Sequence, residues 1–473
     1  MQLSAAKQAL VDKYVRGDLA SILIPPKPKR RASESVPASL SQEQVWLRAQ
    51  AAIDMPPLYN ETITIHRSGP MDIAALKQSL GEILRRHEAW RTTFEMRDGQ
   101  VWQVVHPVPA EFPLSAVDLR GKVSSALLDA EALKFANEHA SQPFDLQGGP
   151  LARGLLVSMT DQRHCLYIDM HQSIVDGISV YEVLPTELAT LYESFSRGSP
   201  AHLPDLPMQF ADFALWQRDF LKEEVFEGQL NYWRKQLGDG VSTLSWPTDR
   251  PRPPVESYRG AIRPFTYSSD LLAMLNEARG ATRVSLFAVL VTALAALLRT
   301  YTNQNEIVLG TLAPCGRDRS EFQNLLGYFL NPVALRLTIS RSLTFRELLL
   351  QAQDVIAAAI SHSDVPFEHV VQHLGLNSDP SRHPVFQVAI SLAPSLTPLP
   401  AGWDMTPMDV ESGGARWDLY LELSERPEGL LGRAQYNPDL FELSTITRLL
   451  NDFRALLEIA GSEPDKPISD LSV

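Results

Sequence analysis

The chain predicts a mixed α/β fold built as two lobes, on three observations. Strand-like alternation and helix-like periodicity take turns along both halves. A length of 473 residues exceeds one ordinary hydrophobic core. Hydrophobic residues at 44% and charged residues at 21% give ordinary globular usage, with apolar material for two cores.

Residues 3–18 carry a weak helical pattern in Leu3, Ala6, Leu10, Val11 and Tyr14. The stretch 24–35, rich in Pro and Lys/Arg, has no apolar periodicity and reads as a linker, with a basic docking patch as the alternative. This sets the expected divisions: 1–35 as N-terminal helix and linker, 36–207 as the first lobe, 208–473 as the second. Residues 72–90 predict an amphipathic helix with Ile73, Leu76, Leu80, Ile83, Leu84 and His87 on one face. Asp98-Gly99 marks a tight turn into the strand Val101–Val105. Strands at Leu155–Met159 and Cys165–Met170 flank a turn at Asp161-Gln162. The helix that follows, Ser179–Phe195, contains Pro185, which must kink it or shift its start. In the second half, a buried helix over 286–300 capped by Ser285 leads into the strand Ile307–Leu312. An amphipathic helix over 345–361, strands at Phe386–Leu392, Asp418–Leu423 and Gly432–Tyr436, and a helix from Ser444 to Ile459 complete the pattern.

Composition excludes several classes of function. With 43 basic and 56 acidic side chains the net charge is −13, which argues against nucleic acid or an anionic membrane as partner. The most apolar run, Leu286–Leu298, is too short to span a bilayer, and residues 1–7 lack the apolar core of a signal peptide. Cys165 and Cys315 sit in apolar surroundings and read as buried free thiols in a reducing cytoplasm. No Cys/His cluster has metal-ligand spacing, and no Gly-rich phosphate loop follows a strand.

The most informative stretch is His171-Gln172-Ser173-Ile174-Val175-Asp176-Gly177. It joins a strand alternating in Leu166, Ile168 and Met170, read as half-buried, to a helical pattern starting at Ile178. This loop resembles the H-H-x-x-x-D-G signature of nonribosomal peptide synthetase condensation domains, with Gln172 where that family has its second, catalytic His. The resemblance extends over roughly 36–473 through stretches in the family's order: LSQEQVWL at 40–47, RHEAWRTTF at 86–94, the loop itself, FADFALW at 210–216, GRDR at 316–319 with LGYFLN at 326–331, DVPFE at 364–368 and SRHPVFQV at 381–388. The stretch YNPDLF at 436–441 and PISDL at 467–471 resemble the tail that leads to an adenylation domain, so the chain reads as one domain of a larger synthetase.

The resemblance implies two chloramphenicol-acetyltransferase-like lobes in a V, with the active site midway along a tunnel between them. It implies an amide-bond-forming acyltransferase that joins a carrier-bound acyl or peptidyl thioester (peptide or hybrid polyketide–peptide) to the α-amine of a carrier-bound aminoacyl acceptor. No cofactor is held by the domain itself. The 4'-phosphopantetheine arms come from donor and acceptor carrier proteins, and an adjacent adenylation domain, without nucleic acid or membrane, completes the partners. Two alternatives stay open: a catalytically impaired condensation-like domain that recruits an enzyme or spaces carrier proteins, and a related acyltransferase that makes esters or uses a soluble acceptor.

Each site residue has two readings. His171 either positions a ligand or is a buried, hydrogen-bonded histidine that holds the loop. Gln172 has no titratable group and cannot be a general base. Its carbonyl can accept from the amine and its NH2 can donate to an oxyanion. Asp176 reads as structural, with Arg317 and Arg91 as candidate partners. Gly177 either supplies a backbone shape or close approach that a Cβ would block, or is an ordinary turn glycine. Ser179 either donates to substrate or caps a helix. Trp216 and Asn331 line the tunnel or pack the lobes.

Overall fold

The computed structural model describes residues 34–51, 55–282, 284–376, 379–394 and 396–470. The helix and linker expected within 1–35 lie almost wholly outside the described residues.

The first half is built on a five-stranded sheet. Its order is Trp403–Pro407, Asn60–Ser68, Arg163–His171, Ala152–Thr160 and Leu114–Asp118, antiparallel except for the last pair. The strand Arg163–His171 is buried at every position after Arg163, so it is covered on both faces and not half-buried. Ile168 and Met170 enter the main core with Leu76, Leu80 and Ile83 of the helix Ile73–Arg86. Cys165 and Tyr167 meet Ala132, Ala136 and Ala140 of the helix Leu128–Ala140 on the other face. Asp72 caps Ile73–Arg86, accepting from the amides of Ala74 and Ala75 at 2.9 and 3.1 Å. The turn at Asp98-Gly99 has φ of 49° and 78°, the double positive φ of a two-residue hairpin, joining Thr92–Arg97 to Gln100–Val105. Pro185 shifts the start of its helix: Ser179–Val183 winds wider, with the Leu184 amide on the Ser179 carbonyl, and regular α-helix runs from Leu184 to Phe195 with Pro185 in its first turn.

The second half carries a six-stranded sheet ordered Leu330–Thr338, Glu306–Pro314, Val388–Leu392, Leu419–Arg426, Gly429–Tyr436 and Ala261–Ser268. Val388–Leu392 is parallel to both of its neighbours. The buried helix Leu286–Thr302 is capped by Ser285, whose Oγ accepts from the Ala288 amide at 3.1 Å. Phe345–Ile360 starts in a reciprocal capping box between Thr344 and Glu347.

The division expected between residues 207 and 208 is crossed by three segments. Trp403–Pro407 forms the edge of the first sheet, pairing Met405 with Ile65. Phe210 and Phe213 of the helix Phe210–Phe220, with Phe322 and Phe329, pack in the first core. Their rings lie 4.6–5.3 Å apart for the Phe210–Phe329, Phe213–Phe329 and Phe213–Phe322 pairs. These exchanges hold the two halves in one arrangement and set the loop 171–177 against the second half.

A Cβ on Gly327 would lie 2.0 Å from Cδ2 of the buried Phe210 ring. Gly327→Ala should therefore destabilise the protein by about 1–3 kcal/mol through overpacking. Chemical denaturation should show a lowered midpoint with an unchanged slope.

Candidate active site

The strand Arg163–His171 delivers the loop to the boundary between the halves. Two contacts fix its backbone: the Gln172 amide donates to the Tyr59 carbonyl at 2.7 Å, and Gln42 Nε2 donates to the Ser173 carbonyl at 2.9 Å. A cavity of about 310 Å³ lies beside it. Gln172, Asp176 and Gly177 border it from the first half together with Glu61 and Tyr181; Ser391, Pro394, Arg416, Tyr420 and Glu422 border it from the second. Arg416 also borders a smaller pocket with Arg48, Tyr59, Tyr328 and His383, and so stands between the two.

His171 holds the loop. Its Nδ1 pairs with Ser173 Oγ at 2.7 Å and faces the Ser173 amide at 3.3 Å. Tyr59 and Phe144 flank the ring edge-on. Burial pushes its pKa down to about 3, so the imidazole is neutral. It is not among the residues lining the cavity.

Gln172 sits between a cation and an anion. Arg416 Nη1 donates to its Oε1 at 2.8 Å, and its Nε2 donates to Glu61 Oε1 at 3.3 Å. Arg has no acceptor, so the amide orientation follows from chemistry: oxygen faces Arg416 and nitrogen faces Glu61. Arg416 thereby takes one of the two lone pairs of the carbonyl. The NH2 group keeps one N–H beyond its bond to Glu61.

Beyond Glu61 lies Arg433. Its Nη2 reaches Glu61 Oε2 at 3.3 Å and Glu422 Oε2 at 2.8 Å, and its Nε donates to Glu422 Oε2 at 2.9 Å. Burial works against the Arg433 charge, but Glu422 and Glu61 outweigh it and raise its pKa. Burial raises the Glu422 carboxyl; Arg433 opposes this, and the charge on Glu61 adds to it. Sequence reasoning missed all four of these charged residues. Glu61 sits on a strand whose alternating Ile63 and Ile65 are a readable signal, but its meeting with Arg416, Glu422 and Arg433 joins positions hundreds of residues apart.

Asp176 pairs with Arg317, one of its two candidate partners. Arg317 Nε donates to Asp176 Oδ2 at 2.9 Å and Nη2 to Oδ1 at 2.6 Å. Nη1 donates to the carbonyls of Phe322, Gln323 and Leu325, and the guanidinium lies 4.1 Å over the Phe329 ring. Arg91 is not a partner: it donates to the His106 carbonyl at 2.5 Å and lies 3.6 Å from Glu88. Gly177 does supply a close approach, since a Cβ there would stand 3.3 Å from Pro394 Cδ.

Three residues with a substrate-contact reading do not line this cavity. Ser179 Oγ is fully buried and shared among Asp176, Arg317 and the Gly327 backbone. Asn331 commits its amide to the carbonyls of Ser363 and Val365 and to the Phe367 amide. Trp216 stacks on Phe220 at 5.1 Å beneath Arg319. All three are packing or bridging residues away from the cavity. Cys165 and Cys315 are free and buried, and no group of residues suited to a metal occurs among the described residues. No helix there is long and apolar enough to cross a membrane.

Residues 32–473 match the family described as Condensation domain. One component of the linear gramicidin synthase of Brevibacillus parabrevis is 36% identical over 470 residues, 98% of this chain and 6% of that protein. Phosphinothricin tripeptide synthetase PhsC of Streptomyces viridochromogenes is 32% identical over 480 residues, all of this chain and 43% of that protein. The chain thus spans under a tenth of the length of the gramicidin synthase components that it matches. The X-domain from teicoplanin biosynthesis superposes with a TM-score of 0.80 at 28% identity, covering 96% of this chain and 100% of that one. The first condensation domain of the calcium-dependent antibiotic synthetase shares the fold, with a TM-score of 0.81 at 19% identity over 93% of this chain and 99% of that one.

Removing one partner of a buried ion pair leaves the other unpaired. Asp176→Ala should cost about 3–5 kcal/mol of stability, read as a lowered melting temperature. A second expectation concerns acid. The folded His171 value, about 3, lies below its ordinary 6.5, so the unfolded chain binds more protons between those values. The stability from keeping this ring neutral is complete above pH 6.5 and is lost as pH falls toward 3. Melting curves across that window should fall less steeply for His171→Asn than for the native chain.

Proposed function

The chain belongs to the condensation-domain family, and on that premise we propose that it forms amide bonds, joining a carrier-bound acyl or peptidyl thioester to the α-amine of a carrier-bound aminoacyl acceptor. The observation that carries this reading is the Arg416–Gln172 hydrogen bond of 2.8 Å. It fixes the amide so that Oε1 faces Arg416 and the NH2 group faces Glu61, both of which line the cavity where thioester and amine would meet.

Attack of an amine on a thioester puts negative charge on the carbonyl oxygen. A fixed N–H donor in a water-poor site stabilises that oxyanion without reorganising. The N–H of Gln172 that Glu61 does not use is such a donor. Two substrates held in one cavity gain further rate from proximity alone. His171, Asp176 and Gly177 act on this chemistry through position: they hold the loop, anchor it to the second half and admit Pro394. The phosphopantetheine arms enter with the donor and acceptor carrier proteins, and an adenylation domain stands beside this one in a cytoplasmic synthetase. Relatives many times the length of this chain support that setting.

The test is condensation between two loaded carrier proteins, read by mass spectrometry of the acceptor arm. Native protein should give the amide. Gln172→Ala should lower turnover about 10²–10³-fold through loss of an oxyanion donor, and Gln172→His should support it. Product from Gln172→His with none from the native chain would overturn the reading and leave a recruiting or spacing role. One solved relative, the X-domain from teicoplanin biosynthesis, is known in complex with OxyB.

A further inference from the structure

The amine loses a proton as the amide forms, and neither loop residue is placed to take it. Gln172 does not titrate, and His171 is buried off the cavity with its Nδ1 turned to Ser173. Besides Asp176, which is paired with Arg317, two carboxylates line the cavity, Glu61 and Glu422, and Arg433 contacts both. That trio carries one surplus negative charge. The remaining cation, Arg416, is turned to Gln172 Oε1 and stacked 4.6 Å from the Trp417 ring.

The two carboxylates are not equivalent. Glu422 Oε2 takes two Arg433 bonds, at 2.8 and 2.9 Å. Among the described residues, Glu61 has two long contacts, 3.3 Å to Gln172 and 3.3 Å to Arg433. A carboxylate has roughly four acceptor sites, so Glu61 keeps capacity for an incoming N–H. It is also the group that Gln172 touches, beside the point where the oxyanion donor acts.

We propose that Glu61 is a catalytic residue of this site: its carboxylate accepts the proton of the attacking α-amine, taking the place of a titrating residue at position 172. This rests on the amide-forming reading above. The amine lone pair forms the C–N bond, and the thioester carbonyl becomes an oxyanion on the Gln172 N–H. The proton on nitrogen passes to Glu61. Collapse of the oxyanion breaks the C–S bond, and the departing thiolate takes the proton from Glu61, which restores the carboxylate. Nothing is oxidised, and no further reactant is needed. Gln172 and Arg433 contact Glu61 directly, and Glu422, Tyr181, Tyr420 and Arg416 line the same cavity. Burial raises Tyr181 well above the ordinary phenol range, which keeps it neutral.

The test uses the carrier-to-carrier assay with native protein, Glu61→Gln, Glu61→Asp and the double change Glu61→Gln with Gln172→His. The first substitution keeps shape and keeps an acceptor for Gln172, and unchanged melting confirms the fold. We expect Glu61→Gln to lower turnover at least about 10²-fold and to remove the loss of rate that the native protein shows on acidification. Glu61→Asp should retain part of the rate with the acid limb intact. Adding Gln172→His should restore turnover to Glu61→Gln. A rate for Glu61→Gln within threefold of native overturns the proposal, as does a lower rate that keeps the native acid limb. Native protein without product fails the amide-forming reading itself, a separate result.

Discussion

The buried pair of Asp176 and Arg317 is the contact on which the site depends. Both side chains are almost wholly out of water, and such a pair adds little net stability, because desolvation consumes most of the Coulomb gain. What it provides is registry. The five donors of Arg317 reach Asp176, Ser179 and three backbone carbonyls between Phe322 and Leu325. No hydrophobic pair of equal volume would specify so many partners at once. A lysine would keep the charge but lose the planar fork. The loop carrying Gln172 is thereby tied to a distant segment of the chain, and the cavity between the halves inherits its shape.

That dependence explains why the cavity chemistry is shared. Glu61 comes from the first sheet and Gln172 from the loop that follows its strand Arg163–His171; Arg416, Glu422 and Arg433 come from the second half. A row of alternating partners runs from Arg416 through Gln172 and Glu61 to Arg433 and Glu422. Each buried charge in it has a neighbour of opposite sign or an amide dipole, as burial of charge requires. Neither half alone would satisfy these groups. The crossed segments, Trp403–Pro407 and Phe210–Phe220, keep the halves from separating enough to leave them unpaired.

Local patterns carried the elements well. The positive φ pair at Asp98-Gly99, the Ser285 cap and the α/β alternation follow from residues near one another in sequence. The loop 171–177 was legible for the same reason, and the Asp176 partner narrowed to two arginines, of which Arg317 is the one used. The strand Arg163–His171 misled, because its alternation in Leu166, Ile168 and Met170 hides polar Asp169 and His164, which are also buried. Asp169 faces His139 and Arg153 and accepts from the Thr62 hydroxyl, partners that only the fold assembles. Ser179 and Asn331 sit in motif stretches and look like substrate contacts, yet their polar atoms are taken up within the protein. The Glu61–Arg433–Glu422 trio had no local signature, since nothing near any one of these residues indicates that its side chain will be buried beside a charge.

The residue at position 172 is constrained from both sides. Arg416 can only donate, so the residue must offer it an acceptor. Glu61 can only accept while ionised, so the residue must offer it a donor. A glutamine amide meets both demands in one orientation and at every pH. A neutral imidazole meets them too, with one nitrogen for each neighbour. An imidazolium does not, because its second N–H would face the Arg416 guanidinium. With Arg416 in place, a histidine at this position would be held neutral by its neighbour and, in taking a proton from the amine, would have to give up that contact. On the proposal made for Glu61, glutamine avoids the conflict: proton transfer falls to a carboxylate, and the glutamine keeps the hydrogen-bonding part of the task. The substitution that looks in the sequence like the loss of a base is, in the folded site, consistent with a division of that base's two duties between neighbouring residues.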